Sequence, residues 1–363
     1  MGTAMSNCRK ESEDLFVFIP DDILLDILKR LPDAILRYKA KYVCRRWMDL
    51  ISKWMLVDCA SFILQNFREL IARRVDIMEE GEDQGVQVKV QDLDIPRIGT
   101  IRSWDNELLL MSTNHKGKKT SLYVYNLITN EGSYLPECNA SCKGRCNDKC
   151  GVALSFDVSK GIYKVVHVFM GPPMECHILV LEGDIVSSNW KKVQVPCRHG
   201  GWLYSENPVS VQGRYIHWKV YWSVYSMGLV SIDMVKEEIV NISLPFPLPL
   251  FGLPIESHYT IFEMVGSLAL IAGDSRNRAV IWILKDIHRN KWDKLQSVTP
   301  NILYYRRFPT CGVISSNKYI IEISKTYMDM WYYDLRNGAK KKLDIHIDHC
   351  GDRCVVHSSP PSF

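Results

Sequence analysis

LFVFIPDDILLDILKRLPDAILRYKAKYVCRRWMDLISKW, residues 15–54, reads as three short helices, each with an apolar face that so short a segment cannot bury by itself. Pro20 suits a helix start, where its missing N–H costs nothing, and Asp21 and Asp22 favour the positive end of the helix dipole. Ile23, Leu24, Ile27, Leu28 and Leu31 then fall on one broad stripe. Pro32 stops that helix, because it has no N–H to give and disfavours helical geometry at Leu31. A further turn or two is expected from Asp33 to Lys39. The last helix carries Val43, Trp47, Leu50, Ile51 and Trp54 on one face, with Arg45, Arg46, Asp49 and Lys53 mostly off it.

The two halves of this stretch resemble the F-box. Ile19 to Pro32 follows I-P-x-D-[IL]-L-x-x-I-L-x-R-L-P, and Val43 to Ile51 follows V-C-[KR]-x-W-x-x-L-I, in the right order. Ile19 stands where that family usually has Leu, which keeps the apolar character. The resemblance implies a three-helix F-box over residues 15–56 that binds the acidic adaptor subunit of a cullin–RING (SCF) ubiquitin ligase. It makes Pro20, Ile23, Leu24, Ile27, Leu28, Leu31, Pro32, Val43, Cys44, Trp47, Leu50 and Ile51 the candidates for adaptor contact or for the small helical core. Sequence alone does not divide contact from core.

Charge distribution agrees with an acidic partner. The whole chain of 363 residues has a formal charge of only +4, which compels no nucleic-acid contact. From Lys29 to Arg74, however, eleven Lys and Arg face four acids, so the remainder is mildly acidic. A basic helical module speeds encounter with an acidic protein. No apolar run is long enough to span a membrane, and MGTAMSNCRKESEDLF lacks the apolar core of a secretory leader. The twelve cysteines are therefore expected as reduced thiols, and the chain in the nucleus or cytoplasm.

Ala60, Ile63, Leu64, Phe67, Leu70 and Ile71 continue a helical period, which predicts a helical connector, closed by the charged linker MEEGEDQG, over residues 57–85. From Val86 the grammar changes to short apolar or alternating runs broken by Gly, Asn, Asp and Pro, as in an all-β sandwich, barrel or propeller. The runs repeat. Asn126, Leu181, Asp233, Asp286 and Asp334 mark equivalent places 48 to 55 residues apart. A period near fifty belongs to four-stranded, kelch-like propeller blades, which must stack around an axis to bury their faces. The expected fold is thus α+β multidomain, a small all-α module followed by a β-propeller of five or six blades over residues 86–357. Five units are visible, and Val86 to Ile95 reads as an extra strand that closes the ring or belongs to a sixth. Trp190, Trp218, Trp282, Trp292 and Trp331 recur with the repeat and are expected mostly in blade cores. The phrases YVYNLITNEGSYLP, GVALSFDVSKGIYKVVHV, SIDMVKEEIVNISLP and AVIWILKDIHRNKWDKL resemble, in order, those of the F-box-associated domain of the large plant F-box family. Leu127 stands where that family commonly has Pro.

No phosphate-binding loop, H-E-x-x-H, G-x-S-x-G or G-x-G-x-x-G pattern occurs, so catalysis by the chain itself is not expected. Cys138, Cys142, Cys146 and Cys150 lie four residues apart, and four thiolates could hold Zn²⁺ tetrahedrally. Asn139, Gly144 and Asn147 favour a loop, and structural zinc sites usually arrive as C-x-x-C pairs. An inter-strand loop without metal is the expectation, and no cofactor is implied. His346, His349, Cys350, Cys354 and His357 form a second cluster, which would meet the first only if the ring brought them together. The resemblance implies a substrate receptor that joins adaptor, and through it cullin and RING subunits, to an unknown target protein, with no nucleic acid and no membrane involved. The alternatives are an F-box scaffold acting outside ubiquitination and a propeller lectin or enzyme.

Overall fold

The computed structural model describes residues 19–28, 30, 46, 47 and 50 of a first compact unit, Met1–Leu56, and much of a second, Val57–Phe363. In the second, residues 59–358 are described apart from 67–68, 80–85, 106–107, 114–119, 143–149, 158–159, 161, 183–184, 187–188, 196–200, 204–207, 224–225, 246–258, 265, 274–278, 299–309, 315–318, 324–329, 337 and 344–353.

In the first unit, α1 spans Asp21–Leu28. The Leu24 N–H donates to the Pro20 carbonyl at 2.9 Å, which places Pro20 at the helix entry, where a proline costs no hydrogen bond.

In the second unit the described residues form six antiparallel sheets. The first holds β1 (Cys59–Asn66), β2 (Ala72–Glu79) and β3 (Val86–Leu93). The second holds β4 (Gly99–Asp105), β5 (Leu108–Thr113), β6 (Leu122–Asn126) and β7 (Glu131–Tyr134). The third is built from β8 (Cys150–Asp157), β9 (Ile162–Phe169) and β10 (Glu175–Glu182), with β11 (Ile185–Val186) and β12 (Lys191–Val193) both on β10. In the fourth, β13 (Trp202–Leu203) and β14 (Val209–Val211) both pair with β15 (Tyr215–Ser223), followed by β16 (Ser226–Asp233) and β17 (Glu238–Ile242). The fifth is β18 (Tyr259–Met264), β19 (Ser267–Gly273), β20 (Ala279–Asp286) and β21 (Lys291–Val298). The sixth is β22 (Thr310–Ile314), β23 (Tyr319–Ile323), β24 (Met330–Asp334) and β25 (Lys340–Leu343). The last strand, β26 (Cys354–Ser358), returns to the first sheet and pairs antiparallel with β1, Leu64 opposite Val356.

The leading strands stand side by side: β4 by β8, β8 by β15, β14 by β18, β18 by β22, and β26 by both β22 and β4. Six blades therefore close into a ring, with the N- and C-terminal strands hydrogen-bonded inside one blade. Among the described residues the ring counts six blades, the larger of the two numbers expected, and β3 is the outer strand of the first.

The helical connector expected over 57–85 is corrected. Residues 59–66 and 72–79 are strands, and the propeller begins with β1 rather than at residue 86. Phe62, Ile63 and Leu64 are consecutive and all buried, the mark of a strand covered on both faces. Two such strands joined by a tight turn imitate a 3.6-residue period. In that turn the Leu70 N–H donates to the Asn66 carbonyl at 2.8 Å with Leu70 at φ +56°. Met78 and Glu79 of the expected linker belong to β2, and residues 80–85 lie outside the described residues.

The same turn explains the anchor period. Asn126, Asp233, Asp286 and Asp334 each end the third strand of a blade, and each Oδ1 accepts the N–H two residues on, at 2.8 to 3.0 Å. The fifth residue, Asn130, Glu237, Asn290 or Gly338, adopts positive φ. A short polar acceptor thus replaces the backbone bond a bend would lose. Leu181 is no such anchor: it lies within β10.

The core lies between blades. Ile63 and Ala72 of the first pack with Ile101, Leu109 and Met111 of the second, and Ala153, Val166 and Ile178 of the third with Ile216, Trp218 and Val230 of the fourth. Polar side chains stitch the seams. Gln65, fully buried, donates to the Gly99 carbonyl at 3.0 Å and accepts from the Ile101 N–H at 2.8 Å. Asp105 accepts from the Phe156 N–H at 3.0 Å, and Ser155 donates to the Gly213 carbonyl at 2.7 Å. Of the recurrent tryptophans only Trp218 is wholly buried. Trp190 and Trp292 are half-buried latches, each donating its indole N–H to a carbonyl of the preceding blade, Pro136 at 2.9 Å and Ser243 at 3.0 Å. Trp282 and Trp331 are also half-buried.

Candidate functional site

The helix α1 splits the apolar stripe in two. Leu24 and Leu28 are 0% exposed, whereas Ile23 and Ile27 are 51% and 40% exposed. Both pairs are spaced i, i+4, so they occupy adjacent edges of one helix face. Covering what remains open on the two isoleucines would contribute about 1 kcal/mol each. Pro20 is exposed, and Trp47 and Leu50 are half-buried. Leu31, Pro32, Val43, Cys44 and Ile51 lie outside the described residues.

Arg46 supports the start of α1. Its guanidinium donates to Asp21 Oδ1 at 2.6 and 2.8 Å and to the Ile19 carbonyl. Asp21 keeps 66% of its side chain in solvent, so the pair contributes under about 1 kcal/mol and serves to position the helix entry.

Three of the places in the propeller where charged groups are buried bear on a candidate site. Lys164 Nζ lies 3.0 Å from Asp157 Oδ2 and 3.2 Å from Glu237 Oε1, and donates to the Met234 carbonyl at 2.6 Å. Burial alone would raise the Glu237 carboxyl, but Lys191 and Lys164 outweigh it and hold it below the usual carboxylate range. Arg214 grips Asp233 at 2.8 Å, and burial of Asp233 is outweighed in the same way by Arg214 and two backbone N–H groups. These clusters join β9 to the turn after β16, and the start of β15 to the end of β16. Each pairs its charges internally, as structural ion pairs do.

The third place lies in the third blade, under the segment that arrives from β7. Glu175 accepts from both the N–H and the hydroxyl of Ser141, each at 2.8 Å. Burial would raise Glu175, but Ser141 and Lys192 more than offset it, and its carboxyl stays low. Beside it, Cys142 Sγ is 3.8 Å from His167 Nε2, and Cys142, Cys150 and His167 have ligand atoms all within 4.8 Å of one another. Of the four spaced cysteines, the structure thus brings Cys142 and Cys150 together. Cys138 is half-buried elsewhere in the segment and Cys146 lies outside the described residues. His167 was not legible as a member, because a strand histidine at alternating spacing gives no sign of what crosses above it. In the tail cluster, Cys354 and His357 belong to β26, a strand of the first blade, and His346, His349 and Cys350 lie outside the described residues. Among the described residues no helix is long and apolar enough to cross a membrane.

Comparison with known families matches residues 82–355 to the F-box associated beta propeller domain and residues 16–56 to the F-box-like domain. No curated protein matches the sequence. Among solved structures, TolB from Acinetobacter baumannii is similar at 10% identity and TM-score 0.47, over 84% of this chain and 67% of that one. A chain of the Nidogen/Laminin complex is similar at 12% identity and TM-score 0.45, over 82% of this chain and 98% of its own. At such scores neither likeness carries an argument about function.

Proposed function

The chain belongs to the F-box associated β-propeller family, and from that premise we propose that it is the substrate-recognition subunit of a cullin–RING (SCF-type) ubiquitin ligase. An F-box-like domain indicates, in general, binding to the SCF adaptor, and its pairing with this propeller fits an SCF substrate receptor in general. The observation that carries the finer reading is the outward pair Ile23 and Ile27 beside the inward pair Leu24 and Leu28. The outward pair, with half-buried Trp47 and Leu50 and exposed Pro20, is the proposed adaptor face. Leu24 and Leu28 hold the helix from within.

On this reading the chain contributes no nucleophile. Holding a target through the propeller while the F-box is docked raises the effective concentration of a target lysine near the charged conjugating enzyme. The setting is the nucleus or cytoplasm, where adaptor and cullin are met. The test is co-expression of the full chain with adaptor, cullin and RING subunits, followed by the half-lives of proteins captured by the propeller. A captured protein whose half-life shortens with cullin present, and lengthens under proteasome blockade, supports the receptor. Half-lives indifferent to cullin would make the chain a scaffold instead.

A further inference from the structure

We propose that Cys142, Cys150 and His167 hold a Zn²⁺ ion that rivets the segment after β7 onto the face of the third blade. In the β8–β9 ladder Cys150 lies opposite Phe169 and Val152 opposite His167. Cys150 and His167 are therefore diagonal neighbours projecting from the same face of the sheet. Cys142 arrives from above. Its segment is fixed at one end by the Trp190 indole on the Pro136 carbonyl and at the other by Ser141 on Glu175. These two ties set the thiol over the imidazole without any contact between the sulfurs being needed to hold it.

The spacing suits one ion. With Zn–S near 2.3 Å and Zn–N near 2.0–2.1 Å, the S···N edge of a tetrahedron is about 3.6 Å and the S···S edge about 3.8 Å. The observed Sγ···Nε2 separation is 3.8 Å and no ligand-atom pair exceeds 4.8 Å, so binding needs only a modest contraction. The donors also suit zinc in kind. Two thiols and an imidazole select a borderline-soft ion over Mg²⁺ or Ca²⁺, which prefer oxygen. Cys150 and His167 are buried, and two thiolates neutralise a dication, so the loaded site carries no net charge into the interior. On binding, each thiol gives its proton to solvent as its sulfur forms the metal bond. The three protein donors leave a tetrahedral ion one further position, open to water or another thiolate.

Two neighbouring groups are engaged outside the site. Glu175 spends both oxygens on Ser141 and buttresses the segment. Cys176 lies opposite Val168, on the other face of the sheet, where it packs with the core between the third and fourth blades.

The test is the metal content of the full chain purified without chelator. It should carry about one zinc per chain, and Cys142→Ser or His167→Gln should lower that about tenfold. Exchange of the wild-type zinc for cobalt should give intense thiolate-to-cobalt charge-transfer absorption with the visible bands of tetrahedral coordination, a readout that needs no variant to fold. Wild-type protein with reduced thiols and no bound zinc would overturn the proposal. So would cobalt protein without charge-transfer bands, or full zinc occupancy in a folded double variant, Cys142→Ser with His167→Gln.

Discussion

Replacing Lys164 by Met is the sharpest perturbation of the ring. The Lys164 side chain is 1% exposed and Asp157 0%, so the substitution keeps most of the volume and strands a carboxylate in the interior. Glu237, at 17% exposure, still has Lys191, but Asp157 loses the cation 3.0 Å from its Oδ2. The Met234 carbonyl loses its 2.6 Å donor as well, and with it the tie from β9 to the turn that ends β16. Removing one partner from a buried ion pair costs about 3–5 kcal/mol, chiefly the penalty of the charge left behind. In a domain of this size that lowers the thermal midpoint by about 6–10 °C. Circular dichroism or scanning calorimetry of the full chain reads it directly. The companion variant, Lys164→Met with Asp157→Asn, removes the stranded charge and should recover about half of the loss. A single-variant shift below about 2 °C, or a double variant no better than the single, would refute the view that this cluster fastens the third and fourth blades.

Two further perturbations probe other parts of the fold. His217 is buried, with its Nδ1 2.5 Å from Ser231 Oγ, and burial holds its pKa down to about 3. The fold therefore keeps the neutral imidazole: stability is nearly whole above about pH 7 and falls as the unfolded chain gains the proton, by about 1.4 kcal/mol at pH 5.5. Thermal midpoints at pH 7.5 and 5.5 should differ more in the wild type than in His217→Gln, and an equal difference would count against this burial. The paired carboxylates Asp233 and Glu237, held low, add a separate loss at more acid pH. Truncation before Cys354 removes β26, the hydrogen-bonding partner of β1 from Phe62 to Asn66. It should open the ring and expose the first blade to limited proteolysis within residues 59–79; a cleavage pattern like that of the full chain would show that the clasp does not hold the blade.

Much of this organisation was legible in the sequence because the signals were local. Pro20, the two aspartates after it and the Ile–Leu spacing specify α1, and a short polar residue at a strand end specifies a bend, which is why Asn126, Asp233, Asp286 and Asp334 marked the blades. What failed was where two structures share one pattern. Phe62, Ile63 and Leu64 are buried on both faces of β1, so the strand shows no alternation, and with the Asn66–Ile71 turn it mimics a helix. The first blade was hidden for the same reason, its last strand arriving from the far end of the chain. The division of the F-box stripe needed coordinates, since Ile23 and Leu24 are equally apolar and differ only in what lies against them. The cluster of Cys142, Cys150 and His167 needed the register of β8 on β9.

The receptor reading is tested most directly by the affinity of the full chain for the purified adaptor, by isothermal titration, for wild type and for Ile23→Asp with Ile27→Asp. Two carboxylates on exposed helix positions leave the fold and its circular dichroism unchanged, but they would be desolvated against an apolar partner. The expected result is a loss of affinity of about a hundredfold or more. Equal affinity for the folded variant and the wild type would contradict the assignment of this helix edge to the adaptor.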